Sequence, residues 1–111
     1  MNRMLILVVG LALGAAAAVE AQQTAADVDA LIGEAEGLLA GRKPAEAKAA
    51  FDRALTAARK LSLARQEGAS LCGVGDAMRA LAQYQPAYDS ALQCLEIYTR
   101  LGFQTARDAR A

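Results

Sequence analysis

Histidine and tryptophan are both missing from the 111-residue sequence. The first absence removes a histidine general base, a histidine-dependent catalytic triad and a histidine-rich metal site, so no metal or cofactor is expected. The second, with only three Tyr and two Phe, leaves too few rings to build a stacking platform for bases. Neither sign of charge is in surplus: twelve Lys and Arg face twelve Asp and Glu. Nucleic acid or an anionic membrane surface as the main partner would need a basic excess, so both are set aside. Runs of alternating polar and apolar residues bounded by turn residues are also missing, which sets sheet architectures aside. The carboxylates are spread about one per helical turn, and Glu34 and Glu36 are too close in sequence to share a helix face. No group of residues is available to carry catalysis, and an enzyme is not expected.

What is present begins with an apolar N-terminus. Arg3 precedes an apolar or small run from Leu5 to Val19, and Val19-Glu20-Ala21 offers the small-x-small pattern cut by signal peptidases. Fifteen residues rich in Gly and Ala fall short of the roughly 20 that a spanning helix needs. Residues 1–21 therefore read as a secretory signal with cleavage after Ala21, and residues 22–111 as one helical domain exported to the periplasm. Losing Arg3 and Glu20 from twelve and twelve leaves that domain eleven charges of each sign. The alternative is an uncleaved N-terminal helix that anchors the chain in the inner membrane.

Beyond the leader, apolar residues recur at three and four, the period of amphipathic helices. Thr24 followed by Asp27 fits an N-cap, and Val28, Leu31, Ile32, Ala35, Leu38 and Leu39 line one face. Gly41 suits the left-handed residue that ends a helix, and Pro44 suits the first turn of the next. A second helix runs from Pro44 to about Leu61, a third from about Ala64 to Ala82, and a fourth from Gln85 to Leu101 after a tight turn at Gln83 to Pro86. Gly102 closes the fourth. A shift of forty positions pairs Leu31 with Leu71, Gly33 with Gly73, Ala40 with Ala80, Ala47 with Ala87 and Leu55 with Leu95. The expected fold is all-α: two antiparallel helical hairpins, repeat 1 at about 28–67 and repeat 2 at about 68–107. The start of a further helix falls at 103–111. A duplicated hairpin could also close into a four-helix bundle.

Within each unit the spacing resembles the tetratricopeptide repeat (TPR). Leu71, Val74, Gly75 and Met78, followed by Ala87 and Ala91, stand at that family's signature positions; in the first unit Leu31, Glu34, Ala35 and Leu38 do so, followed by Ala47, Phe51 and Ala54. No Trp or Tyr fills the large positions, no proline closes either unit, and the interval is forty where the ordinary repeat has about thirty-four. The phrase GDAMRALAQYQPAYDSALQCLEIYTRLG is similar to an extended variant whose second helix gains a turn. The resemblance implies a short right-handed TPR-like array and a non-catalytic adaptor or scaffold that binds another protein or peptide. It also implies a concave groove lined by the first helix of each unit. Carried over residue by residue, that groove comprises Asp29, Ile32, Glu36 and Leu39, then Cys72, Asp76 and Arg79. If the leader is retained, the chain reads instead as a membrane-anchored assembly subunit.

Two further expectations remain. Antiparallel helices turning near residue 83 put Cys72 at about the height of Cys94, and an oxidising compartment would allow a disulfide between them. Two small thiols, buried or half-buried, are the alternative. Two units are also fewer than the three an array usually needs. The apolar end of the second hairpin, around Ala91, Leu95, Tyr98 and Phe103, is expected to be covered by residues 103–111, by another copy in a homo-oligomer, or by a partner.

Overall fold

The computed structural model describes residues 23–102. The expected signal at 1–21, its cleavage site and the tail at 103–111 lie outside the described residues. Four helices follow one another: α1 (Ala25–Ala40), α2 (Pro44–Lys60), α3 (Ala64–Ala80) and α4 (Tyr84–Arg100). Among the described residues there is no strand, and no helix is long and apolar enough to cross a membrane.

The start of α1 is fixed by reciprocal hydrogen bonds. The Thr24 hydroxyl accepts from the Asp27 amide at 3.4 Å, and the Asp27 carboxylate accepts from the Thr24 amide at 2.8 Å. Two otherwise orphaned amides are satisfied, and a negative charge sits on the positive end of the helix. Pro44 opens α2 at a position where its missing N–H costs nothing. Pro86 lies in the first turn of α4, so the tight turn expected at Gln83 to Pro86 falls earlier, at 81–83.

The three connections are copies of one another at twenty-residue intervals. Arg42, Ser62 and Ala82 adopt φ of 61°, 55° and 61°, and Gly102 continues the series at 71°. In each connection the residue after the left-handed one donates its amide back to the helix: Lys43 to Leu38 O at 2.9 Å, Leu63 to Ala58 O at 2.8 Å and Gln83 to Met78 O at 2.8 Å. The left-handed residues donate to Leu39, Arg59 and Arg79 at 3.0–3.2 Å. This double bond pattern satisfies the last carbonyls of each helix. The expectation for Gly41 is corrected here: its φ is −78°, and Arg42 takes the left-handed position. The closing bonds back to Leu38 and Leu39 place the reversal one residue after the cap, whichever residue stands there.

The core is made largely of small side chains. Ala35, Ala47, Ala50, Ala54, Ala58 and Ala77 are fully buried around Val28, Phe51, Val74 and Met78. A smaller cluster, Leu71, Cys94 and Ile97, lies between α3 and α4. Alanine on both sides lets helices approach closely, and Gly75 shows how closely: a β-carbon there would lie 3.2 Å from the Ala87 carbonyl oxygen. Each helix packs on the next, and α1 also touches α3; neither α1 nor α2 touches α4. A closed four-helix bundle would bring its first and last helices together. The helices instead form two hairpins stacked in an open row.

Candidate partner-binding groove

α1 and α3 are the first helices of their hairpins and lie side by side, so one face of each borders a shared depression. It encloses about 460 Å³ and is lined by Glu36, Leu39 and Ala40 of α1, Phe51 of α2, Ala69, Cys72, Gly73 and Asp76 of α3, and Tyr98 of α4. The helical period explains the set. Residues 36, 39 and 40 lie on one stripe of α1, and 69, 72, 73 and 76 on one stripe of α3. Glu36 and Asp76 are forty residues apart and put one carboxylate on each wall.

Four of the seven residues expected at the groove from sequence therefore line it: Glu36, Leu39, Cys72 and Asp76. Asp29 lies outside the lining and is exposed; it accepts a hydrogen bond from the Gln66 side chain at 3.3 Å, which ties α1 to α3. Arg79 is also outside it, and its guanidinium meets the Asp76 carboxylate at 3.5 Å with both groups well exposed. Such a pair contributes little to stability. Ile32 is corrected outright: at 9% exposure it belongs to the core cluster that also holds Val74 and Ala77. It shares a repeat position with the half-buried Cys72, but the first hairpin has a second packed on it, with α1 touching α3, whereas no described helix follows the second hairpin.

Ala40, Phe51, Ala69, Gly73 and Tyr98 also line the groove and are not among the residues expected there. Tyr98 was expected on the exposed end of the second hairpin; it is half-buried, and its ring crosses Gly68 so closely that a β-carbon there would lie 2.9 Å from Cε1. Burial raises the Tyr98 phenol above its ordinary value of 10.0, and the nearby Arg65 charge partly offsets this. The glycines were the available signal. Gly68, Gly73 and Gly75 cluster in the middle of α3 at positions where neighbouring helices intrude.

Cys72 and Cys94 form a disulfide with Cα atoms 5.3 Å apart. It staples α3 to α4, with Cys94 in the small core cluster and Cys72 in the groove wall. A second depression of about 420 Å³, lined by Gln23, Asp52, Arg53, Thr56, Ala57 and Lys60, lies along α2 and has mixed charge. Among the described residues no group of three or more Cys, Asp or Glu converges as a metal site would require. The groove thus offers the Glu36 carboxylate and the Asp76 carboxylate, the latter shared with exposed Arg79, beside the apolar side chains of Leu39, Phe51 and Tyr98. This arrangement is suited to holding a side chain with an aliphatic stem and a cationic head.

No family model, no curated protein and no solved structure matches this chain.

Proposed function

We propose that the chain is a non-catalytic interaction module of the TPR type, exported to the periplasm, which binds an extended or helical segment of another protein in the groove between α1 and α3. The observation that carries this reading is the groove itself: Glu36 and Asp76 on facing walls, with Leu39, Phe51 and Tyr98 between them. An open row of hairpins leaves such a surface accessible along its length, and the acidic walls favour a partner segment with Lys or Arg set among apolar residues.

A photo-crosslinking side chain at Leu39, in cells that make the protein naturally, is expected to capture a discrete partner. The same group at exposed Thr56, on α2, is expected to capture none. Glu36→Lys combined with Asp76→Lys should abolish the Leu39 adduct. Equal labelling from both positions, or an adduct indifferent to the charge reversal, would overturn the reading. Export is tested separately by sequencing the mature N-terminus, which is expected at Gln22; Met1 would favour an anchored chain.

A further inference from the structure

The forty-residue repeat allows the same position to be compared in two surroundings. Positions 47 and 87, 50 and 90, 54 and 94, and 57 and 97 are buried in both hairpins, because each pair faces the first helix of its own hairpin. The other side of the second helix behaves differently. In α2 it is covered by α3: Phe51 is 2% exposed and Leu55 is partly buried against the small core cluster. At the matching places on α4, Ala91 is exposed and Leu95 is 60% exposed; Leu101, just past the end of α4 and matching the partly buried Leu61, is 49% exposed. Tyr84, Tyr88 and Leu92 are exposed beside these places, where α2 carries Pro44, Lys48 and Asp52 instead. α4 therefore carries an uncovered face of the kind that α2 buries against α3.

The opposite end of the row shows the counterpart. In α3, Ser70, Gly73 and Ala77 are buried, and Gly73 holds the Phe51 ring where a side chain of its own would stand. The matching residues of α1 are Ala30, Gly33 and Gly37, and all three are exposed. A β-carbon on Gly33 or Gly37 would meet nothing within 4 Å. Each glycine inside a helix costs about 1 kcal/mol relative to alanine, and nothing in the described fold repays that cost at these two positions. One end of the row is thus bulky and apolar, and the other is smooth and free of side chains. They correspond to the two sides of the α2–α3 contact.

We infer that α4 of one copy packs on α1 of the next, so that copies of this chain stack head to tail and repeat the α2–α3 contact between molecules. Ala91 and Leu95 of α4 take the places of Phe51 and Leu55 over the lane at Gly33 and Gly37, with exposed Tyr88 and Leu92 flanking them. The contact joins unlike surfaces, so it does not close on itself, and the stack lengthens with concentration. Pairing two α4 faces with each other would leave the smooth face of α1 unused. The inference does not rest on the groove reading, because none of Gly33, Gly37, Leu92 and Leu95 lines the groove.

Sedimentation of the gene product, purified as the cell processes it, tests the proposal. The wild type is expected to gain mass steadily with concentration. Leu95→Glu blocks only the α4 end and Gly33→Lys only the α1 end, and each alone should stay at the mass of one chain. Their equimolar mixture should rise to the mass of two chains and stop, because each variant retains the one end that the other needs. Leu92→Glu repeats the first block, and circular dichroism confirms that each variant folds. Association indifferent to Gly33→Lys would show that α4 pairs with itself and would overturn the proposal. So would a wild type that stays at one chain throughout but associates once residues 103–111 are removed, because that tail would then be the cover of α4.

Discussion

The ring of Phe51 occupies the space where a β-carbon of residue 73 would stand, so α2 and α3 meet at a point where only glycine fits. Phe51 is 2% exposed, so its ring has to shift for a β-carbon to enter. Gly73→Ala is expected to destabilise the fold by about 1–2 kcal/mol, since overpacking costs about 1–3 kcal/mol and improved helix propensity returns up to about 1. Gly33→Ala makes the same change at the matching position of α1, where the added methyl meets nothing. It should stabilise a single chain by about 0.5–1 kcal/mol. Urea unfolding of both variants at low protein concentration checks the pair; a common sign would refute the assigned contact.

The left-handed turn residues give a second prediction. Ala82 holds φ at 61°, a conformation in which a β-carbon crowds the following carbonyl at a cost of about 1–2 kcal/mol. Ala82→Gly removes the crowding and gives back part of that gain through a freer unfolded chain. A net stabilisation of roughly 0.5–1 kcal/mol is expected, visible as a higher unfolding midpoint at unchanged slope. The same substitution at Gly41's neighbour Arg42 should act in the same direction. Unchanged midpoints in both would mean that the reversal does not lie at 42 and 82.

The helices themselves were legible because their signals are local: the Thr24 and Asp27 cap, Pro44 at a first turn, and apolar residues at three and four. The left-handed position was not, since glycine preference pointed to Gly41 while the closing hydrogen bonds fixed the reversal at Arg42. The groove was half legible for a related reason. Glu36, Leu39, Cys72 and Asp76 follow from the face of one helix, whereas Phe51 and Tyr98 reach it from neighbouring helices. Ile32 and Cys72 occupy one repeat position yet differ in burial, because one has a further helix stacked beside it and the other does not. A periodicity can assign a side chain to a face; it does not say what the rest of the fold lays over that face.

Two buried serines on facing helices have opposite expected effects. The Ser90 hydroxyl donates to the Leu71 carbonyl at 2.7 Å, which fixes α4 on α3. The Ser70 hydroxyl is fully buried and has no hydrogen-bond partner among the described residues. A typical buried hydrogen bond contributes about 1 kcal/mol, while an unsatisfied buried hydroxyl costs about 1–3 kcal/mol. Ser90→Ala should therefore destabilise by about 1 kcal/mol, and Ser70→Ala should stabilise by a similar amount. Thermal unfolding of the two variants side by side tests this; a clear loss in Ser70→Ala would mean that its hydroxyl has a partner.

The disulfide closes a loop between residues 22 apart, and its effect should be separable from that of the side chains it joins. In the chain-entropy account, constraining a loop of this length in the unfolded state stabilises the fold by about 3 kcal/mol. Cys72→Ala with Cys94→Ala removes the constraint and trims one fully buried and one half-buried sulfur. The double variant should lose at least as much stability as reduction of the wild type does, and added reductant should leave it unchanged. For a chain whose core is largely alanine, a loss on this scale is a large share of the 5–15 kcal/mol that holds typical domains together. Among the described helices α4 packs only on α3, so it is expected to loosen first, with amide hydrogen exchange rising in 84–100 before it rises in α1 and α2. Identical urea midpoints for oxidised and reduced wild type would show that the bond contributes nothing, and uniform exchange across all four helices would show that α4 is held by more than α3.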